Sequence, residues 1–291
     1  MNTLTKFSLS LLTAGTLVAC GGDKPADAPK ADTTAPQAGE GKSLVIATEA
    51  NYPPFNNMTA DGKIVGFDVD VINAVCAEIQ ANCDIVAQDW DGLLPGLLTN
   101  KYDAVIAGMS ITPERQAQVD FSEPYFSNTI VWLSKTDGSF DPNNIKNLVL
   151  GSQRSTTGAD YITERYDGKD GNRVQLYDTY TNSYLDLKAG RNHAVMAELK
   201  QGNDGFGLVG DEIDNNDNLG IAVRKGDTLK ADFDKALATL KANGTLAELE
   251  KQHFGDTATP TPSDTAEPVV AEPADTTQAQ EPATAEPAKS E

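Results

Sequence analysis

The chain has 291 residues, 39% of them hydrophobic, with 43 Asp and Glu against 23 Lys and Arg and a formal net charge of −20. A chain this acidic is a poor grip for a phosphate backbone or an anionic membrane surface, which sets nucleic-acid binding aside. Residues 256–291 hold eight acids against one lysine, yet the stretch 43–255 is apolar enough to bury a core, as one large domain or two small ones.

In chain order, Lys6 and the short apolar stretch from Phe7 to Val18 read as an export segment, residues 1–20, too short to span a bilayer. Leu17-Val18-Ala19-Cys20 resembles the lipobox of bacterial lipoproteins, which implies cleavage before Cys20 and lipid on its sulfur; an ordinary secretory peptide is the alternative. No later run reaches ~18 apolar residues. Residues 21–42 are Gly, Pro, Ala and charge without periodicity, and 256–291 repeat Ala-Glu-Pro, so both read as disordered. The first of these would act as a tether with an r.m.s. span of roughly 25 Å.

From residue 43 strand and helix signals alternate. Strands are expected at 44–47, 84–88, 104–107, 129–133, 148–151, 173–177, 194–197 and 220–223. Helices are expected from about Asp68, at 91–99, from Thr112-Pro113 with Thr as N-cap, at 158–165, 181–189 and 228–242, with a last one to about Phe254. Alternating βα units give an α/β fold with a largely parallel sheet, whose ligand chemistry belongs at strand C-termini or between two lobes. Cys76 and Cys83 sit at the end of the first helical pattern and before the next strand; export favours their pairing, and two free thiols are the alternative. Two cysteines with scattered His193 and His253 lack metal-ligand spacing, so no metal and no cofactor is expected.

Six segments then occur in order: Asn51-Tyr52-Pro53-Pro54-Phe55, Gly66-Phe67-Asp68-Val69-Asp70, Trp90-Asp91-Gly92-Leu93-Leu94-Pro95, Gly108-Met109-Ser110-Ile111-Thr112-Pro113-Glu114-Arg115, Asp120-Phe121-Ser122-Glu123-Pro124-Tyr125 and Leu187-Lys188-Ala189-Gly190-Arg191. Together they resemble the polar amino-acid-binding proteins of ABC importers, solute-binding protein family 3, and most of all the arginine and lysine/arginine/ornithine binders. The resemblance covers nearly all of 43–255, and the Cys76–Cys83 spacing is also that of the basic-amino-acid branch. It implies the two-lobed type II periplasmic-binding fold, with lobes joined by two crossing strands. Lobe 1 would comprise 43–127 and 219–255, and lobe 2 would comprise 128–218.

A free amino acid presents a carboxylate, an ammonium and a side chain, and burying either charge unpaired would cost several kcal/mol. Arg115, in the first turn of a helix that follows a strand, suits the carboxylate; taken alone it reads equally as a surface arginine. The resemblance implies that Arg115 grips the carboxylate with Ser110 and the Thr156-Thr157 loop. The ammonium would go to the carbonyl of Gly108, where a side chain would obstruct approach, to the Ser110 hydroxyl and to Glu198, which stands where the family has Asp. Glu49 after the first strand, flanked by Tyr52 and Trp90, would face the ligand side chain; a carboxylate between aromatic faces suits a guanidinium or an ammonium. Glutamine binders also carry an acid there, so Glu49 alone does not select cations. Gln153 and Arg154 precede the Ser155-Thr156-Thr157 loop, and Arg154 is read as pointing outward. The segment 198–220 is shorter than in relatives, so the helix after Glu198 should be truncated or the second lobe repacked.

The implied function is a lipid-anchored, extracytoplasmic, monomeric binding component that captures a polar, basic amino acid by hinge closure and docks an ABC permease. It would be no enzyme; no Gly-rich phosphate loop and no Ser-His-Asp arrangement is present in the sequence. The alternatives are a sensory or adhesive lipoprotein and a cleft enzyme of the cyclohexadienyl dehydratase type.

Overall fold

A computed structural model describes residues 42–197 and 206–255. Expectations for the export segment and Cys20, for the tether up to residue 41, for Glu198 and for the tail 256–291 fall outside those residues.

The first half runs β1 (Ser43–Thr48), β2 (Asn51–Tyr52), β3 (Asn56–Met58), β4 (Ile64–Val65), α1 (Phe67–Glu78), β5 (Asn82–Ala87), a 3₁₀ turn (Trp90–Gly92), α2 (Leu93–Leu98), β6 (Ala104–Val105), α3 (Pro113–Gln116) and β7 (Val119–Phe121). Then follow β8 (Phe126–Lys135), β9 (Val149–Gln153), α4 (Thr157–Tyr166), β10 (Arg173–Tyr177), α5 (Tyr180–Lys188), β11 (Ala194–Ala197), β12 (Phe206–Leu208), β13 (Ile213–Leu219), β14 (Ala222–Arg224), α6 (Leu229–Ala242) and α7 (Thr245–Phe254).

These elements build the two-lobed α/β fold. One sheet has the order β5-β1-β6-β14-β7, with β1 parallel to β5 and β6 and β14 antiparallel to β6 and β7. The other has the order β10-β9-β11-β8-β12, with β9, β10 and β11 parallel and β8 antiparallel to β11 and β12. Each parallel sheet therefore carries antiparallel strands at one side. The chain passes from the first sheet to the second along β8 and returns along β13, which pairs antiparallel with β8 from Ile213↔Ile130 to Leu219↔Phe126.

Strand β1 is buried on both faces at Leu44, Ile46 and Ala47, as a covered parallel sheet demands. Helices α1, α6 and α7 pack Ile72, Val75, Phe233, Leu237 and Leu246 into one cluster, and α2 sets Leu93 and Leu97 against Val105 and Met109 in another. A third cluster joins Ile130, Trp132, Leu150, Ile162 and Met196 around the second sheet. Gly66 leads into α1 because a side chain there would put its Cβ 2.3 Å from the Phe55 carbonyl oxygen, at a φ of +133°. Cys76 on α1 is disulfide-bonded to Cys83 on β5, with Cα atoms 6.3 Å apart.

Two expectations need correction. The strand expected at 220–223 is β14, Ala222–Arg224, because the preceding residues belong to β13 or to the turn at Gly220. The strand expected at 129–133 extends over Phe126–Lys135, since β11, β12 and β13 all pair along it. The truncated helix or repacking expected after Glu198 begins in residues 198–205, outside the described residues; from Phe206 the chain forms β12 and β13, both antiparallel to β8.

Candidate functional site

The chemistry-bearing loops sit at the C-terminal ends of β1, β5, β6 and β9. Glu49 follows β1, Trp90 follows β5, Gly108 and Ser110 follow β6, and Thr156 caps α4 after β9. They surround a narrow cavity of about 20 Å³ lined by Glu49, Tyr52, Trp90, Gly108, Thr156 and Tyr180, with Met196 and Ala197 from the end of β11. Glu49 and Trp90 also line a wider depression of about 580 Å³, together with Asp89, Asp91 and Asp178.

Glu49 is only 7% exposed, and its Oε1 accepts a 2.7 Å hydrogen bond from Gln153 Nε2 on the second sheet. Burial pushes its carboxyl up to about 7; the Gln153 amide pulls it down, and the charges of Asp89 and Asp91 push it further up. Tyr52 stacks on Phe55 with ring centroids 5.3 Å apart and meets the edge of Tyr180 at 5.5 Å, which fixes one wall. Trp90 donates its indole N–H to the Ser155 carbonyl at 3.3 Å.

Gly108 lies on the cavity wall with φ +56°. A Cβ there would meet Tyr52 at an ordinary 3.4 Å, and the left-handed backbone by itself calls for glycine. That backbone is held from behind. Asp68 is fully buried, accepts from Tyr125 Oη at 2.7 Å and Asn56 Nδ2 at 2.8 Å, and takes the Gly108 N–H as well. Burial lifts the Asp68 carboxyl to about 6 against these donors. Asn56 Oδ1 in turn accepts the Ala50 N–H at 2.8 Å, so one buried carboxylate fixes the loops after both β1 and β6.

Arg115 sits on α3, a helix of four residues. Thr112 caps it by accepting the Arg115 N–H at 3.3 Å, with Pro113 at the first position. The guanidinium donates to the main-chain oxygens of Ser110 at 2.7 Å and Ser155 at 2.8 Å, and its Cζ lies 5.4 Å from the centre of the Trp90 ring. It lines a depression beside the cavity with Trp90, Met109 and Ser155. Thr156 caps α4 through the Ala159 N–H at 3.1 Å and donates to the Gln153 carbonyl at 2.8 Å.

Ser110 and Thr157, expected to serve a carboxylate, turn their hydroxyls to Asp217 on β13; the Thr157 bond is 3.2 Å. Burial pushes the Asp217 carboxyl above the usual range, while the Ser110 and Thr157 hydroxyls and the charge of Arg115 pull it back. Arg154 pairs at 2.8 Å with Asp178 at the surface, and His193 accepts the Val149 N–H on an exposed turn. Among the described residues no group of three or more His, Cys, Asp and Glu is placed to hold a metal ion, and no helix is long and apolar enough to cross a membrane.

Sequence reasoning passed over Asp68, Ser155 and Asp217. Asp68 lay inside a quoted motif without a role. Asp217 lies in the polar run Ile213–Leu219, which carries no alternation to announce a strand buried against β8.

The profile of the bacterial extracellular solute-binding proteins, family 3, matches residues 44–256, nearly the whole body that carries these loops. The chain belongs to that family. It is a solute-binding protein and not an enzyme, like the binding proteins it is similar to. It is 37% identical over 222 residues to the arginine-binding periplasmic protein of Mannheimia haemolytica, covering 72% of this chain and 91% of that one. It is 31% identical over 229 residues to the lysine/arginine/ornithine-binding periplasmic protein of Escherichia coli, covering 73% and 88%. A solved periplasmic binding protein of Salmonella typhimurium with high arginine specificity superposes with a TM-score of 0.66 at 34% identity, covering 73% of this chain and 99% of that one.

Proposed function

We propose that this protein captures a free basic amino acid, of the arginine and lysine class, for an ABC importer. The observation that carries the reading is Glu49: a carboxylate almost removed from water, on the wall of the cavity that Tyr52 and Trp90 also line, in a field of further acids at Asp89 and Asp91. An isolated charge in that position is costly, and a guanidinium or ammonium laid against it relieves the cost while stacking on the aromatic faces. The acid-rimmed depression outside would draw cations toward it.

In this reading Arg115 exchanges a main-chain acceptor for the ligand carboxylate, helped by Thr156, and Gly108 offers its carbonyl to the ammonium. Lobe 1 comprises 43–127 and 219–255 and lobe 2 comprises 128–218, closing about β8 and β13. Direct bonds already link the two sheets: Gln153 to Glu49, Arg115 and Trp90 to Ser155, and Thr181 Oγ1 to Asn51 Oδ1 at 2.8 Å. A ligand shifts closure only by its difference in affinity for the two forms. The chain is anchored through lipid on Cys20, so that Cys20→Ala releases it from membranes in detergent partitioning.

A thermal-shift screen of the twenty amino acids plus ornithine tests the reading. Arginine, lysine or ornithine should give the largest rise in melting point; a rise only with neutral or acidic amino acids contradicts it.

A further inference from the structure

We propose that the wider depression lined by Glu49 and Trp90 is a second subsite, in which Asp89 receives a further cation carried beyond the first one on the ligand side chain. The substrate class then extends to basic amino acids prolonged past their guanidinium by a short cationic arm. This rests on the amino-acid reading above and widens the class it names.

Glu49 and Trp90 are the residues common to the narrow cavity of about 20 Å³ and the depression of about 580 Å³. The first leaves a side chain no room to continue, whereas the second holds a short arm with space to spare. Glu49 is 7% exposed; its Oε1 accepts the Gln153 amide, and its Oε2 has no hydrogen-bond partner among the described residues. A buried carboxylate with an unused oxygen asks for a charged donor. A guanidinium that answers it has N–H groups enough to carry a substituent and still bond Glu49.

The depression is built for a cation. Its charged lining is Glu49, Asp89, Asp91 and Asp178, with no Lys or Arg among the lining residues. Two cations touch that lining and both are engaged: Arg154 pairs with Asp178 at 2.8 Å, and Lys101 donates to Gln88 Oε1 at 2.5 Å. Asp91 Oδ1 accepts the Ser155 hydroxyl at 3.3 Å. That leaves Asp89, whose side chain has no partner among the described residues. Asp89 precedes Trp90 in the chain and is close enough for its charge to act on Glu49, so a short arm can reach from one acid to the other. Carboxylates facing one concave volume repel one another, and a second cation relieves that repulsion.

The test is titration calorimetry of the full chain with L-arginine, Nω-butyl-L-arginine and Nω-(3-aminopropyl)-L-arginine; the two derivatives differ only in a terminal methyl against an ammonium. At pH 8 and low salt, wild type should bind the butyl derivative within about tenfold of arginine. It should bind the aminopropyl derivative about three- to tenfold more tightly than the butyl one, the scale of an exposed ion pair. That advantage should shrink at about 0.5 M salt. Asp89 is exposed, so Asp89→Asn leaves the core untouched, and it should bring the two derivatives within about twofold of each other. A ratio unchanged from wild type overturns the assignment to Asp89. Equal binding of the two derivatives by wild type overturns the second cation, and a loss of more than about tenfold for both, relative to arginine, overturns the subsite. In each of these cases arginine binding leaves the amino-acid reading standing. If wild type binds no amino acid, that reading itself fails.

Discussion

At the scale of single residues, the role proposed for Glu49 makes ligand binding pH-dependent. Its folded pKa of about 7 lies above the ordinary carboxylate value of 4.5, so the native protein holds the proton more tightly than the unfolded chain. Glu49 therefore lets stability fall as pH rises from about 4.5 through 7. A cationic ligand acts in the opposite sense, because it pairs with the ionised form and expels the proton. Arginine should bind about tenfold more weakly at pH 6 than at pH 8, following the ionised fraction of a group that titrates near 7. Asp68, titrating near 6, adds a smaller loss of stability as pH rises to 6. Glu49→Gln separates the two: titrations across pH should become nearly flat in affinity, and a preserved slope would assign the dependence elsewhere. That Glu49, Tyr52, Trp90 and Gly108 share one cavity was legible in the sequence because Glu49 directly follows the first strand and the others stand in motifs near strand ends, where an α/β fold puts its chemistry. Asp217 was not, since an acid among Asn and Asp reads as a solvated face. Only the pairing of β13 with β8 buries it.

At the scale of elements, short pieces carry much of the positioning. Helix α3 is capped by the Thr112 hydroxyl on the Arg115 N–H, so the cap and the guanidinium belong to one local structure. Thr112→Ala should cost about 1 kcal/mol of stability by denaturant unfolding and should weaken arginine binding as well. Lost stability with untouched affinity would detach Arg115 from its cap. The Cys76–Cys83 bridge behaves differently. Cys83 lies near the start of β5, whereas Trp90 and the cavity follow its end, so the bridge ties the far side of the sheet. Replacing both cysteines with Ala should cost about 2–3 kcal/mol by the chain-entropy account and leave affinity unchanged. The long βα alternation was legible from periodicity and caps. The two- and three-residue strands β2, β3, β4 and β12 were not, because so few residues carry no period and their existence depends on partners distant in sequence.

At the scale of the whole molecule, the two sheets carry complementary halves of the proposed site. The first supplies Glu49, the aromatic wall and Arg115; the second supplies Gln153, Ser155 and Thr156. Ligand that spans both should stabilise the fold by mass action, about 2.7 kcal/mol at a hundredfold excess over Kd. Ser155 shows how closely the halves are matched. It holds a left-handed backbone at φ +59°, presents its carbonyl to Arg115 and Trp90, and turns its hydroxyl to Asp91 at 3.3 Å. The family and the two-lobed architecture were legible because six motifs fall in register along one chain. The cross-sheet partners were not, since no local pattern says which loop of one lobe meets which loop of the other. The most direct test of the account is calorimetric titration of L-arginine into wild type and Arg115→Ala, side by side at pH 8. The account predicts saturable one-to-one binding by wild type and a loss of about a hundredfold in the variant, the penalty of leaving a ligand carboxylate buried without its cation. Equal affinity in the two proteins would contradict it.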